Sequence, residues 1–263
     1  KNEIIDQGFI EAFDELILSI VQSKDQIKLK NTSIGQIKGM IETFSIKEEK
    51  FVNEIYYLNM NVSFNKKKIF DLFESKNIFP SLLVKKNFLF IPVLYDQDTN
   101  QVSIFSDNKI FNNWNLNNKK FNLINYILPI QDLDDFNIIK NNIKNFEVYD
   151  FKEIVNKYNI DDHIIMIVLK KDESVRVFSK ILLNEKKNLK NLNFNKIDFN
   201  NDKELKKFID SLKLYYEDFW KSQNEINTSV KLSLNISIDN TNNIKINKFE
   251  ETLSRMDLIY NFY

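Results

Sequence analysis

The sequence predicts an α+β fold: two mixed α/β modules with largely antiparallel sheets, helices packed on one face, and a C-terminal βαβ-like segment. Three observations carry this. Apolar residues recur at steps of three and four near the start of the chain and again after residue 200, which is the helical period. Between these stretches the period drops to two in several short segments. Two pairs of those segments are joined by short polar turns and read as hairpins, so most strand pairing is antiparallel.

The first helix covers residues 2–21, where Ile5, Phe9, Ala12, Phe13, Leu16 and Ile20 share one face and Glu3, Asp6, Glu11, Asp14 and Glu15 the other. Gly8 and Ala12 lie one turn apart, and small residues at that spacing admit a close neighbour, a strand or another helix. A short helix over 34–41 follows, N-capped by Ser33 or Thr32. Strands over 43–50 and 55–64 form an antiparallel pair turning near 51–53. Asn65 then caps a helix over 66–75 whose Ile69, Phe70 and Phe73 face inward. The stretch 77–86, with Pro80, is a connection and the first boundary.

The second half opens with a buried strand at 88–95, the longest apolar run and far shorter than the roughly twenty residues a bilayer helix needs. A polar loop at 96–100 leads to Trp114 in a short irregular segment, 111–116. An apolar strand end at Tyr126 runs into a helix over 133–142 whose start carries Asp132, Asp134 and Asp135, where helix amides favour negative charge. A short strand at 146–149 and a helix capped by Asp150 and ending at Tyr158 come next. Residues 163–170 and 175–183 form a hairpin, with a third strand at 189–199. The longest helix, 203–222, carries an apolar stripe from Leu205 to Trp220. A strand at 230–239, a turn at 240–243, a helix at 245–255 and a strand at 258–263 close the chain. That order echoes the strand, Asn65 turn and helix of the first module, a weak internal similarity. The domains so delimited are 1–80, an αβ module expected to have lost an amino-terminal strand, 81–225, a second α+β module, and 226–263, a strand-helix-strand element that packs with one of the two.

Composition removes many chemistries. There are 37 basic and 37 acidic side chains, one His, three Gly and no Cys, so thiolate metal sites, disulfides and cysteine nucleophiles are excluded. Gly8, Gly35 and Gly39 form no phosphate-binding loop. Nucleic-acid binding is not expected, because the lysine pairs are balanced by acids and only Arg176 and Arg255 are arginines. The abundant Asn, Lys, Ile and Phe point to an A/T-rich genome. Asp132, Asp134, Asp135, Asp161, Asp162 and His163 remain as the candidates for a ligand site. For His163 a general-base role beside Asp161 or Asp162 competes with a plain turn into a strand. No cofactor, metal or transmembrane segment is expected.

The order "GFIEAFDELI", "ETFSIKEEKF", "YYLNMNVSFNKKKIFDLFESKNI", "FLFIPVL", "NNWN", "YILPIQDLDD" and "VKLSLNISI" resembles a bacterial envelope family catalogued as domain of unknown function number twenty-sixty-six. Its modules are similar to the amino-terminal domain of the Tol-system propeller protein and to flagellar T-ring components. The resemblance implies a periplasmic, secreted protein whose signal peptide and first strand precede Lys1. It also implies a non-enzymatic interaction or assembly module whose partners are other envelope proteins or itself. The rival expectation is an acidic-cleft hydrolase or a carbohydrate- or small-ligand-binding protein using the aspartates above.

Overall fold

The computed structural model describes residues 2–116, 118–227, 236 and 243–255. The chain is α+β, and it divides into two compact units, Lys1–Asp14 with Lys28–Pro80 and Ile226–Tyr263, and Glu15–Ile27 with Ser81–Glu225. Among the described residues no helix is long and apolar enough to cross a membrane.

In the first unit, the helix α1 (Asn2–Ile20) contributes residues 2–14, while its residues 15–20 belong to the second unit. A four-residue helix, α2 (Ser23–Gln26), which the apolar pattern does not announce, follows it in the second unit. Helix α3 (Ile34–Met40) starts at a capping box in which Ser33 accepts from the Gln36 amide and the Gln36 side chain accepts from the Ser33 amide. It leads straight into β1 (Ile41–Val52), which pairs antiparallel with β2 (Ile55–Phe64). Asn65 caps α4 (Lys66–Ser75) by accepting from the Lys68 amide, and Lys68 Nζ returns to the Gly39 carbonyl at 2.7 Å. Where a close neighbour of Gly8 was expected, it is a side chain: a Cβ on Gly8 would lie 2.5 Å from Met60 Sδ. Helix α9 (Asn243–Arg255) matches the expected 245–255 helix, while the strands expected at 230–239 and 258–263 lie outside the described residues.

The second unit is built on a six-stranded sheet in the order β4-β3-β6-β7-β8, with β5 also on β3. Its strands are β3 (Lys86–Asp96), β4 (Gln101–Ser103), β5 (Ile124–Ile127), β6 (His163–Lys171), β7 (Ser174–Leu183) and β8 (Lys186–Phe194). β3 runs parallel to β5 and β6, and the other pairs are antiparallel. β5 covers one edge of β3 along Lys86–Leu89 and β4 the same edge along Leu94–Asp96. Pro92 falls in the interval, where a residue lacking an N–H is tolerated, and the buried Asn108 donates to its carbonyl at 3.1 Å. The same Asn108 caps α5 (Lys109–Trp114) by accepting from the Ile110 amide.

The expectation of helices on one face is corrected here. Phe88, Phe90, Ile164 and Met166 pack on one face with α5 and with α8 (Asp202–Gln223). Leu89, Ile91, Ile165 and Ile167 pack on the other with Ile139 of α6 (Leu133–Asn142) and Ile154 of α7 (Lys152–Val155). The reason lies in β3 and β6 themselves, whose unbroken apolar runs need cover on both sides. Four local expectations also change. Trp114 ends a regular helix instead of sitting in an irregular segment. Residues 146–148 form a turn, and 146–149 carry no strand. Phe151, with φ 52°, is the N-cap of α7, while Asp150 accepts from the Lys152 amide. The third strand of the meander begins and ends earlier than 189–199, because it turns back directly from β7 at Asn184–Glu185.

Candidate functional site

The six sequence-derived candidates fall into two groups, and no hydrogen bond or ion pair among the described residues joins one group to the other. In the first, Asp132 is the N-cap of α6 and accepts from the Asp134 and Asp135 amides at 2.8 and 3.0 Å. Lys157 donates to Asp135 at 2.6 Å and to Asp132 at 3.2 Å. The Asp135 amide, and then Lys157, hold the Asp132 carboxyl below the usual carboxylate range, while the bond to Asp135 raises the Lys157 ammonium. Asp135 is fully buried, and its Oδ2 has no hydrogen-bond partner. Asp134 is exposed. Two carboxylates bridged by one lysine at a helix start are a cap rather than a general acid facing a general base.

In the second group, Asp161 is exposed and its carbonyl lies 2.9 Å from His163 Nδ1. Asp162 is buried, pairs with Lys86, and accepts from the Asn184 amide at 2.7 Å, which fixes the β7–β8 turn. His163 is 5% exposed. Burial is the largest influence on its imidazole and moves it below its ordinary range.

The structure adds a residue that the sequence reading passed over. Lys180 stands opposite Ile165 on β6, two positions from the Leu182 that faces His163, so Lys180 and His163 share one face of the sheet. It is 3% exposed. Its Nζ donates to the Phe146 and Tyr149 carbonyls at 2.8 and 2.5 Å and lies 5.3 Å from the centre of the Phe146 ring and 5.9 Å from that of Phe151. Desolvation, followed by repulsion from Lys187, lowers its ammonium to about 8. The signal was present in "VRVFSKILL", where a lysine falls in phase with Phe178 and Leu182. A strand covered on one face would send that lysine to water; a strand covered on both faces cannot.

Helix α8 holds a second set of buried charges at successive turns. Lys213 donates to Asn118 at 2.9 Å, Glu217 accepts from the Leu123 and Ile124 amides at 2.9 and 3.0 Å, and Lys221 donates to the Leu18 and Val21 carbonyls at 2.6 and 3.1 Å. Burial raises the Glu217 carboxyl and lowers the Lys221 ammonium. A cavity of about 220 Å³ lies beside this helix, lined by residues that include Trp114, Asp202, Asp210 and Lys213 and by none of the six candidates. Its Asp210 is paired with Lys206 at 2.6 Å. Among the described residues no group of three or more His, Cys, Asp or Glu side chains is placed to hold a metal ion.

Among the described residues of the first unit, the most exposed apolar side chains lie on the β1–β2 ribbon. Phe44 pairs with Val62 and Ile46 with Met60; the register then shifts at Lys47, after which Glu49 pairs with Leu58 and Phe51 with Tyr56. A two-residue alternation alone would put Phe51 on the face opposite Phe44. The extra residue turns it back, so Phe44, Ile46, Phe51 and the even-numbered residues of β2 form one apolar face. Near its base that face meets α1, with the Phe9 and Phe44 rings 5.1 Å apart and those of Phe13 and Phe64 6.0 Å apart. Towards the tip it is open: Phe51 is 70% exposed, and Tyr57 on the other face 54%.

No family model matches the chain, and no curated protein or solved structure matches it.

Proposed function

We propose that this protein is a non-enzymatic interaction or assembly module of the bacterial envelope, located in the periplasm, that binds another envelope protein or a second copy of itself. The β1–β2 ribbon carries the reading. Its tip presents Phe51, Val52 and Tyr57 to solvent at the end of a strand pair whose apolar face is only partly covered. Two strands alone are marginally stable in water, and exposed apolar residues gathered at one place mark contact surfaces. The location and the class of partner are taken from the resemblance of the element order alone, with no matching family model beside it. The candidate aspartates favour this reading over a hydrolase, since Asp132 and Asp135 are joined through Lys157, and Asp162 is held by Lys86.

The test is site-specific photocrosslinking in the source bacterium. A photoreactive residue at Phe51 or Tyr57 should give one discrete adduct from the envelope fraction, with a partner protein or a second copy. The same probe at Val148, which is more open than either position but lies in the other unit, should give none. Absence of an adduct from both ribbon positions, with a monomer in light scattering, overturns the reading.

A further inference from the structure

The polar contacts that hold the segment 146–151 to the sheet come from Lys180 and from Lys187, whose Nζ donates to the Glu147 carbonyl at 3.2 Å, while the Phe146 ring packs on Phe178 at 5.2 Å. The Phe146 and Tyr149 carbonyls accept from Lys180 Nζ, and the Phe146 and Phe151 rings lie against it. The segment is also strained, because Phe151 has a φ of 52°, a left-handed conformation that costs a residue with a Cβ roughly 1–2 kcal/mol. Next to the lysine, on the same face, sits His163, buried and directed by Nδ1 to the Asp161 carbonyl. An amine needs only two N–H groups to satisfy two carbonyls, so Lys180 can serve this segment whether or not it is charged. What the layer accommodates poorly is a second cation.

We propose that His163 and Lys180 form an acid-responsive latch: protonation of the imidazole places a second cation beside the buried amine and releases residues 146–151 from the sheet. The charges around the pair set its balance. β6 supplies Asp162, already engaged by Lys86 and the Asn184 amide. β7 supplies Lys180 itself and β8 supplies Lys187, which raises the local positive charge. The connection after α6 supplies Glu147 and Asp150, which oppose it; Asp150 lies at the surface, where water screens its effect. β3 places Leu89 opposite His163, and the charge it brings to this end of the sheet is Lys86, which is paired with Asp162. Burial and the neighbouring lysine both disfavour imidazolium. Release uncovers the Phe146 and Phe151 rings, so the consequence of acid is a new apolar surface at one end of the sheet.

The chain has a single histidine, which makes the test direct. The imidazole midpoint is read by NMR on the full chain, and amide exchange, corrected for its intrinsic pH dependence, is followed over the same range. The Tyr149 and Val155 amides, which bond to Asn145 and Phe151, report on the latch, and the β6–β7 ladder around Val168 and Val177 is the reference. The imidazole should titrate below 6.5, and through that midpoint the reporter amides should lose about tenfold in protection relative to the ladder, the change one unit of differential protonation supplies. His163→Asn, which retains a donor for the Asp161 carbonyl but cannot become a cation, should abolish the response. A midpoint at or above 6.5, reporter amides indifferent to it, or an unchanged response in H163N overturns the proposal. If H163N does not fold, the two wild-type measurements decide alone.

Discussion

Lys180 is a lysine used as a two-pronged hydrogen-bond donor, and its pH dependence follows from that. Its folded value of about 8 lies below the unfolded value of 10.5, so between the two the unfolded chain still holds a proton that the folded chain has released. Its contribution to stability therefore grows as pH rises through that window and is lost as pH falls towards 8. Urea unfolding at pH 7.5 and 9.5 should show the wild type gaining stability and Lys180→Met gaining less. K180M also leaves the Phe146 and Tyr149 carbonyls without their donor, at about 1–3 kcal/mol for a buried unpaired group. His163 has the same sign in a lower window: its imidazole is also lowered on folding, so stability is lost as pH falls below 6.5. At this scale the sequence was only partly readable. Asp162 and His163 could be picked out as candidates at the start of a strand, whereas the burial of Lys180 depended on knowing that a second layer, residues 146–151, covers its face.

Elements were more legible than residues wherever a cap or a period marked them. Asn65, Ser33 and Asp132 each begin a helix as their side-chain chemistry dictates. Turns were harder to place, for one reason. No glycine has a positive φ, and the tight turns are made by Asn53–Glu54 and Asn184–Glu185, with φ between 48° and 64°. Hairpin turns of this kind need two left-handed residues, and Asn-Gly is their usual signature. Here Glu stands where Gly is expected, which hides the turn and strains it. Glu185→Gly should therefore stabilise the chain by about 0.5–1 kcal/mol, the relief of a left-handed Cβ less the added freedom of the unfolded glycine. Thermal or urea denaturation measures it, and a loss of stability would show that the Glu185 side chain contributes more than its backbone costs. The same absence of glycine explains why the end of β1 was expected before Val52.

For the whole molecule, charge balance sets solution behaviour. The isoelectric point is about 6.9, and with one histidine few groups titrate between the carboxylates and the lysines. Net charge thus stays close to zero over a broad range, where self-repulsion is weakest. Precipitation by polyethylene glycol should need least polymer near pH 7, with a shallow minimum, and more at pH 4 and 10.5; a sharp minimum elsewhere would point to a local patch in place of the global balance. The fold class itself was readable from the two periods, and the cover on both sheet faces was readable in principle from the unbroken runs of β3 and β6. The charged rungs of α8 act at this scale as well. A helix faced only with Leu, Phe, Tyr and Trp has several nearly equivalent seats on an apolar sheet, displaced by a turn or rotated by a side chain. Lys213, Glu217 and Lys221 find acceptors and donors at Asn118, at Leu123 and Ile124, and at Leu18 and Val21 in only one of those seats. Every other seat strands three charges in oil, so these side chains act as a combination lock whose contribution is a single answer rather than a deeper one.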